Sequence, residues 1–190
     1  MDQLATMGRV LTETQRVVDR IEPSQLDDPT PCTEWTVRDL LNHITGGADM
    51  FAIAASEGRV SDETHDRLMT ADNLGADYRG AFRSACDRAM RAYEAPEMLD
   101  TMVVLPFGEM PAGVALDIAI FDIATHAWDL AKATGQSTAL DPVVLDAAWA
   151  LAPMVLTDEV RAVGIFGARV EVDADAPLQD RLAAFAGRTP

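Results

Sequence analysis

The chain has 190 residues and a mass of 20.5 kDa, room for one domain and too little for two full ones. Its 31 acidic residues against 15 basic ones leave a net charge of −16, which repels phosphate backbones and anionic lipid and excludes nucleic-acid and membrane-surface partners. Apolar residues make up 48%, enough to bury a core, and no apolar run is long enough to span a membrane. The N-terminus, MDQLATMGRVLTETQRVVDR, has no basic segment followed by an apolar block, so no secretory signal is expected. Cys32 and Cys86 make no disulfide framework, and a reducing cytoplasm is the expected home.

Residues 3 to 21 carry Leu4, Met7, Leu11, Thr14, Val18 and Ile21 at steps of three and four, one face of a helix that Pro23 stops. The turn-rich connector DDPTPC follows. A second helix starts near Thr36, which can cap it with Asp39 three residues on. Val37, Leu40, Ile44, Ala48 and Phe51 form its buried stripe, and it fades at Glu57-Gly58. Residues 58 to 70 are polar and read as a loop with at most a helical turn. A third helix is expected from about Asp72 to Tyr93, marked by Leu74, Tyr78, Phe82, Ala85 and Ala89, with Pro96 ending the segment. TMVVLPFGEMP has a β-branched run with Pro and Gly punctuation, which predicts a short strand or hairpin. A fourth helix spans about Val114 to Thr134 and closes at Gly135. Asp141-Pro142 opens a fifth, running to about Leu151 and broken at Pro153. Residues 164 to 175 read as extended or looped, and Pro177 to Ala186 as a short terminal helix. The sum is an all-α bundle with one small extended insert and short C-terminal helices.

Histidine is scarce: His43, His65 and His126 are the whole supply. Asp122 and His126 lie four apart on the fourth helix and point the same way. The small residues Ala115, Ala119 and Ala133 leave room on that stripe. His43 sits at the edge of the second helix's apolar stripe, facing inward. Two histidines and a carboxylate from two packed helices suit a divalent ion, zinc, iron or nickel, and leave coordination positions open. The same pattern also fits a hydrogen-bonded core histidine with an i, i+4 ion pair worth only about 0.2–0.5 kcal/mol. Economy favours the ion, because an inward carboxylate without Lys or Arg is costly to bury.

Residues 29–47, PTPCTEWTVRDLLNHITGG, and 121–135, FDIATHAWDLAKATG, resemble the metal-binding domain of mycothiol-dependent maleylpyruvate isomerases, within the DinB-like superfamily. The ending, DAPLQDRLAAFAGRTP, is similar to that of small actinobacterial metal-binding proteins related to that domain. The resemblance spans nearly the whole chain and implies one DinB-like domain over 1–190. It implies an up-down-down-up four-helix bundle with a divalent metal held at one end by three side chains. By motif position these are His43, Asp122 and His126. Asp122 stands where many relatives carry a longer glutamate or a histidine. The family's isomerases carry a further C-terminal domain, which residues 136–190 do not supply. The resemblance therefore implies general chemistry rather than maleylpyruvate isomerisation itself. The metal binds and ionises a small thiol such as mycothiol, for transfer to or isomerisation of a small electrophile. A non-catalytic module that binds a metal or small ligand is the alternative.

The remaining residues carry plainer expectations. Asp129, three after His126, either orients the imidazole or pairs with an N–H or Arg in the core, the second being favoured. Trp35 and Trp128 flank the ligand helices as walls or packing. Cys32, close to the start of the ligand helix, has a redox or ligand role open to it, but a free cysteine is most often a small buried hydrophobe, which is the reading for Cys86 too. His65 is expected exposed in its loop, and Gly46-Gly47 serve close helix approach or ligand access. No catalytic acid or base is assigned. A homodimer is expected from the habit of small bundles.

Overall fold

The computed structural model describes residues 2–95, 97–162, 164 and 166–190. The first helix, α1, runs Gln3–Asp19, capped by the Asp2 carboxylate on the Ala5 N–H. A short 3-10 turn at Pro23–Gln25 follows, with Ile21 fully buried beside it. Helix α2 is Val37–Glu57 and starts where expected. Thr36 accepts the Asp39 N–H, and Asp39 accepts the Thr36 N–H, a reciprocal cap. Its predicted stripe is buried throughout, from Val37 to Phe51.

Residues 58 to 70 differ from the sequence reading. Asp62–Thr70 is a helix, α3, capped by Ser61 on the Thr64 N–H with two acidic residues in its first turn. It buries only Leu68, too little for a periodic signal. His65 consequently lies on a helix and is half-buried beside Asp66, not on an open loop. The Leu68 carbonyl comes so close to α2 that a Cβ on Gly46 would sit 2.5 Å from it, so Gly46 serves close helix approach. Helix α4 is Tyr78–Tyr93, six residues shorter at its start than expected. Asp72 accepts from the Leu74 and Gly75 N–H groups and makes a turn instead, Gly75 takes φ +56°, and Asp77 caps the helix. Pro96 lies outside the described residues.

The expected hairpin is present: β1 Met102–Leu105 pairs antiparallel with β2 Gly108–Pro111. Helix α5 is Ala112–Ala133, beginning two residues before the predicted start, and ends at Gly135 with φ +68°. The Gln136 N–H reaches the Ala131 carbonyl at 2.8 Å, which closes a Schellman cap. Helix α6, Pro142–Val155, runs past Pro153. That proline falls in the last turn, which survives because the Leu156 N–H closes on Ala152. Helix α7 is Asp158–Ala162, residues 166–175 have no regular structure, and α8 is Leu178–Phe185.

Polar contacts fix the helix directions. Gln3 at the start of α1 donates to Gly113 at the start of α5, and Gln136 just past α5 donates to Val17 near the end of α1. These two helices are parallel. Tyr78 and Arg79 at the start of α4 reach Ile21 beyond the end of α1, so α1 and α4 are antiparallel. Arg88 pairs with Asp49, and Arg38 reaches Asp72, so α2 and α4 are parallel, with α3 as the return crossover. The result is up-down-down-up for α1, α2, α4 and α5, a DinB-like all-α fold. Helix α5 is buried almost all round, from Ile123 to Ala131, because α1, α2, α6 and α8 all pack on it. The hairpin closes one end through Val60 and Gly58 against Val104. The opposite end gathers the start of α2 and the finish of α5. No helix among the described residues is long and apolar enough to cross a membrane.

Candidate metal centre

Toward that opposite end α2 and α5 run antiparallel, so the second turn of α2 faces the middle and later turns of α5. His43 and Asp122–His126 meet there. Nε2 of His126 lies 3.4 Å from Asp122 Oδ1, and Nε2 of His43 lies 4.0 Å from Asp122 Oδ2. One donor atom from each of the three residues falls within 4.8 Å of the others. Two ligands of a tetrahedral zinc sit about 3.4 Å apart, given bonds of about 2.1 Å. One pair already has that spacing and another needs to close by a fraction of an ångström. The spacing of the donor set, the shorter Asp122 included, therefore fits a divalent ion.

The His126 ring is buried, while about a quarter of the His43 and Asp122 side chains remains exposed, 28% and 25%. The Trp35 ring stands 4.7 Å from that of His43, and Trp35 is 37% exposed, so an aromatic wall flanks the open side. It is delivered by a tight turn in which Glu34 takes φ +78°, an uncommon conformation outside glycine. Trp128 instead packs inside, with Lys132 over its ring. Burial pushes the His43 imidazole pKa down, and Asp122 only partly offsets it, so His43 is neutral and able to ligate. Burial also opposes charge on His126, but the charge and hydrogen bond of Asp122 outweigh it and raise that imidazole well above its usual value. Asp122 is held below the usual carboxylate range for the same reason: His126 overcomes its burial. In the absence of an ion, a proton on His126 neutralises Asp122.

A second cluster lies on the other side of the His126 ring. Nδ1 donates to Asp129 Oδ2 at 3.0 Å. Asp129 is fully buried and also receives Arg188 through Nη2 at 2.9 Å and Nε at 3.2 Å. The Cys32 thiol donates to the same carboxylate at 3.1 Å, and its sulfur accepts from Arg188 Nη2 at 3.1 Å. Burial would raise the Asp129 carboxyl, but the His126 hydrogen bond and the charges of His126 and Arg188 hold it at about 2. Asp129 thus takes both of the roles weighed for it, imidazole acceptor and arginine partner. Cys32 departs from expectation: its sulfur sits in a polar network, whereas Cys86 is the buried hydrophobe foreseen. Arg188 was not anticipated. Its one sequence signal is Gly187 just past an amphipathic helix, and nothing local says where the following side chain reaches.

The fold and this cluster define a four-helix-bundle protein with three side chains at one end spaced as a divalent ion would need. The chain belongs to the family of the mycothiol maleylpyruvate isomerase N-terminal domain, whose model matches residues 7–131. It is 34% identical to the uncharacterized protein Rv0738 of Mycobacterium tuberculosis strain H37Rv, over 100% of this chain and 99% of that protein. The uncharacterized protein MT0763 of strain CDC 1551 matches to the same extent. Among solved structures, a mycothiol-dependent maleylpyruvate isomerase superposes with a TM-score of 0.62 at 16% identity, covering 80% of this chain and 68% of that one. A histidine-to-alanine mutant of such an isomerase gives 0.67 at 16% identity, covering 91% and 75%. At this identity the likeness concerns the fold.

Proposed function

We propose that this chain binds a divalent metal and uses it, with a small thiol of the mycothiol kind, to transfer to or isomerise a small electrophile. Residues 1–190 act in this reading as one metal-binding domain whose partners are small molecules, with neither nucleic acid nor membrane involved. The observation that carries it is the meeting of three donor atoms from α2 and α5, with the far nitrogen of His126 already engaged by Asp129.

His43, Asp122 and His126 would hold the ion, and two imidazoles with one carboxylate suit zinc ahead of nickel or iron. A divalent ion there favours thiolate over thiol and so supplies a nucleophile at neutral pH. The chain's own residues prepare that chemistry. Asp129 accepts the Nδ1–H of His126, so an ion that displaced the proton on Nε2 would find that nitrogen's lone pair turned toward Asp122 and His43. The exposed edges of His43 and Asp122 leave an approach from solvent, and Trp35 lines it with an apolar face for the thiol or electrophile. The described residues offer no further group placed as acid or base.

Cobalt replacement tests the reading, because cobalt reports its ligands in the visible spectrum. Added thiol should shift that spectrum and bring up a sulfur-to-cobalt band, and a small electrophile should then be consumed. A cobalt site that ignores thiols would favour the non-catalytic binding module. Failure of the wild-type protein to take up any divalent ion would overturn the reading altogether.

A further inference from the structure

Two clusters share one imidazole. Beyond the outer set of His43, Asp122 and His126, donor atoms of Cys32, Asp129 and His126 also fall within 4.8 Å of one another. This inner set is more buried and carries a sulfur, so its chemistry would attract a soft divalent ion strongly. The place such an ion would take is filled. The Arg188 guanidinium lies 2.9 Å from Asp129 Oδ2 and 3.1 Å from Cys32 Sγ, and it is itself buried, at 7% exposure.

The C-terminal backbone is built to deliver that side chain. Helix α8 ends in a Schellman cap: the Arg188 N–H bonds to the Ala183 carbonyl at 2.9 Å and the Gly187 N–H to Ala184 at 3.0 Å. Gly187 takes φ +86°, and a Cβ there would stand 2.8 Å from the Gly167 backbone, so both conformation and contact require glycine. Arg161 ties the two strands of this turn together, donating to Gly167 at 2.6 Å and Phe185 at 2.7 Å. Arg188 Nη1 also bonds the Ala186 carbonyl at 2.7 Å, which locks the fork in its orientation.

We propose that Arg188 is a positioning residue of the metal centre, a resident organic cation that fills the inner half-site, fixes Asp129 and, through Asp129, fixes His126. It rests on the metal reading of the outer set. The C-terminal segment is then a working part of a centre whose ligands all lie far upstream. Arg188 does two things at once. It pins the carboxylate that sets the His126 tautomer, and it keeps a metal off Cys32, so that the ion has only the half-open side to occupy. A bidentate fork is needed for this, which lysine lacks.

The test uses the full chain in wild-type, R188K, R188M and C32S forms, each checked for folding by circular dichroism. Cobalt titration is read in the visible and near-ultraviolet, and His126 is read by nitrogen NMR in metal-free protein. Wild type should bind one cobalt without a sulfur-to-cobalt band, and C32S should match it. R188M should lose about 10–100-fold in affinity at the outer site. It should also gain a sulfur band as Cys32 becomes a ligand, and lose the hydrogen-bonded Nδ1–H of His126. R188K should recover the suppression of the sulfur band but only part of the affinity. A folded R188M that keeps wild-type affinity, spectrum and His126 resonances would overturn the proposal. If wild type takes up no cobalt, the metal reading fails, and NMR alone decides: a lost Nδ1–H in R188M upholds Arg188 as the positioning residue, and an unchanged His126 overturns it. If R188M does not fold, G187A displaces the same side chain through the backbone and is read by the same signals.

Discussion

The two sides of the His126 ring are made of like parts and put to opposite use. On the Nδ1 side a carboxylate and a thiol meet an arginine in full burial, and every charge has a partner. On the Nε2 side a carboxylate meets two imidazoles, partly open to solvent, and among the described residues no lysine or arginine pairs with it directly, Arg188 acting on it only at longer range. The inner side is a finished structure. The outer side has only the imidazole proton of His126 to balance its carboxylate, and in the proposed reading a divalent ion would take that proton's place. The difference teaches that neither residue type nor spacing separates a structural cluster from a functional one. What separates them is whether the protein supplies its own counter-ion.

The strongest way to break this contrast is to remove a partner from each side in metal-free protein. Asp129→Ala leaves the Arg188 guanidinium buried and unpaired, and chemical denaturation should register a loss of about 3–5 kcal/mol. His43→Ala leaves no orphaned charge and should stay within about 1 kcal/mol of wild type. Equal losses would erase the distinction between the sides. With metal present the order reverses. His43→Ala should weaken zinc binding by more than about 100-fold, beyond the range for a group that only supports a ligand. Competition with a chromophoric chelator measures it.

Much of the outer side was legible in the sequence. His43 sits at the edge of the periodic apolar stripe of α2, and the four-residue spacing of Asp122 and His126 sets both on one face of α5. The start of α2 was legible too, because Thr36 and Asp39 form a reciprocal cap within four residues. The inner side was not. Cys32, Asp129 and Arg188 come from a turn, a helix and the C-terminal tail, and Arg188 lies 59 positions from the carboxylate it holds. A contact of that reach leaves no periodic trace. Helix α3 was missed for a related reason: it buries a single leucine, so its capping signal had no apolar stripe behind it.

Two smaller effects sharpen the comparison. Cys86 is a buried thiol, and burial, joined by the charge of Asp87, outweighs the nearby Arg88 and pushes it up to about 12. Below pH of about 9 it is protonated whether the chain is folded or unfolded. Above that, the unfolded chain ionises and the folded one does not, so stability should fall by up to about 1.4 kcal/mol per pH unit until about 12. The Cys86→Ala variant should lack this component in denaturation curves taken from pH 8 to 10, and an unchanged slope would contradict the assignment. Thr36→Ala removes the cap at the start of α2, two turns before His43, and should cost about 1 kcal/mol in thermal or chemical melts. The same variant should weaken zinc binding modestly while leaving the Asp129–Arg188 pair intact, since that pair hangs on α5 and the tail.

The central claim is that the ion belongs to the outer side of His126. Plasma mass spectrometry on untagged protein decides it, with wild type, Asp122→Ala and Cys32→Ser loaded with zinc and desalted in parallel. The account predicts about one zinc per chain in wild type and in Cys32→Ser, and none in Asp122→Ala. Zinc that stays in Asp122→Ala and leaves Cys32→Ser would put the ion on the inner side and contradict the account.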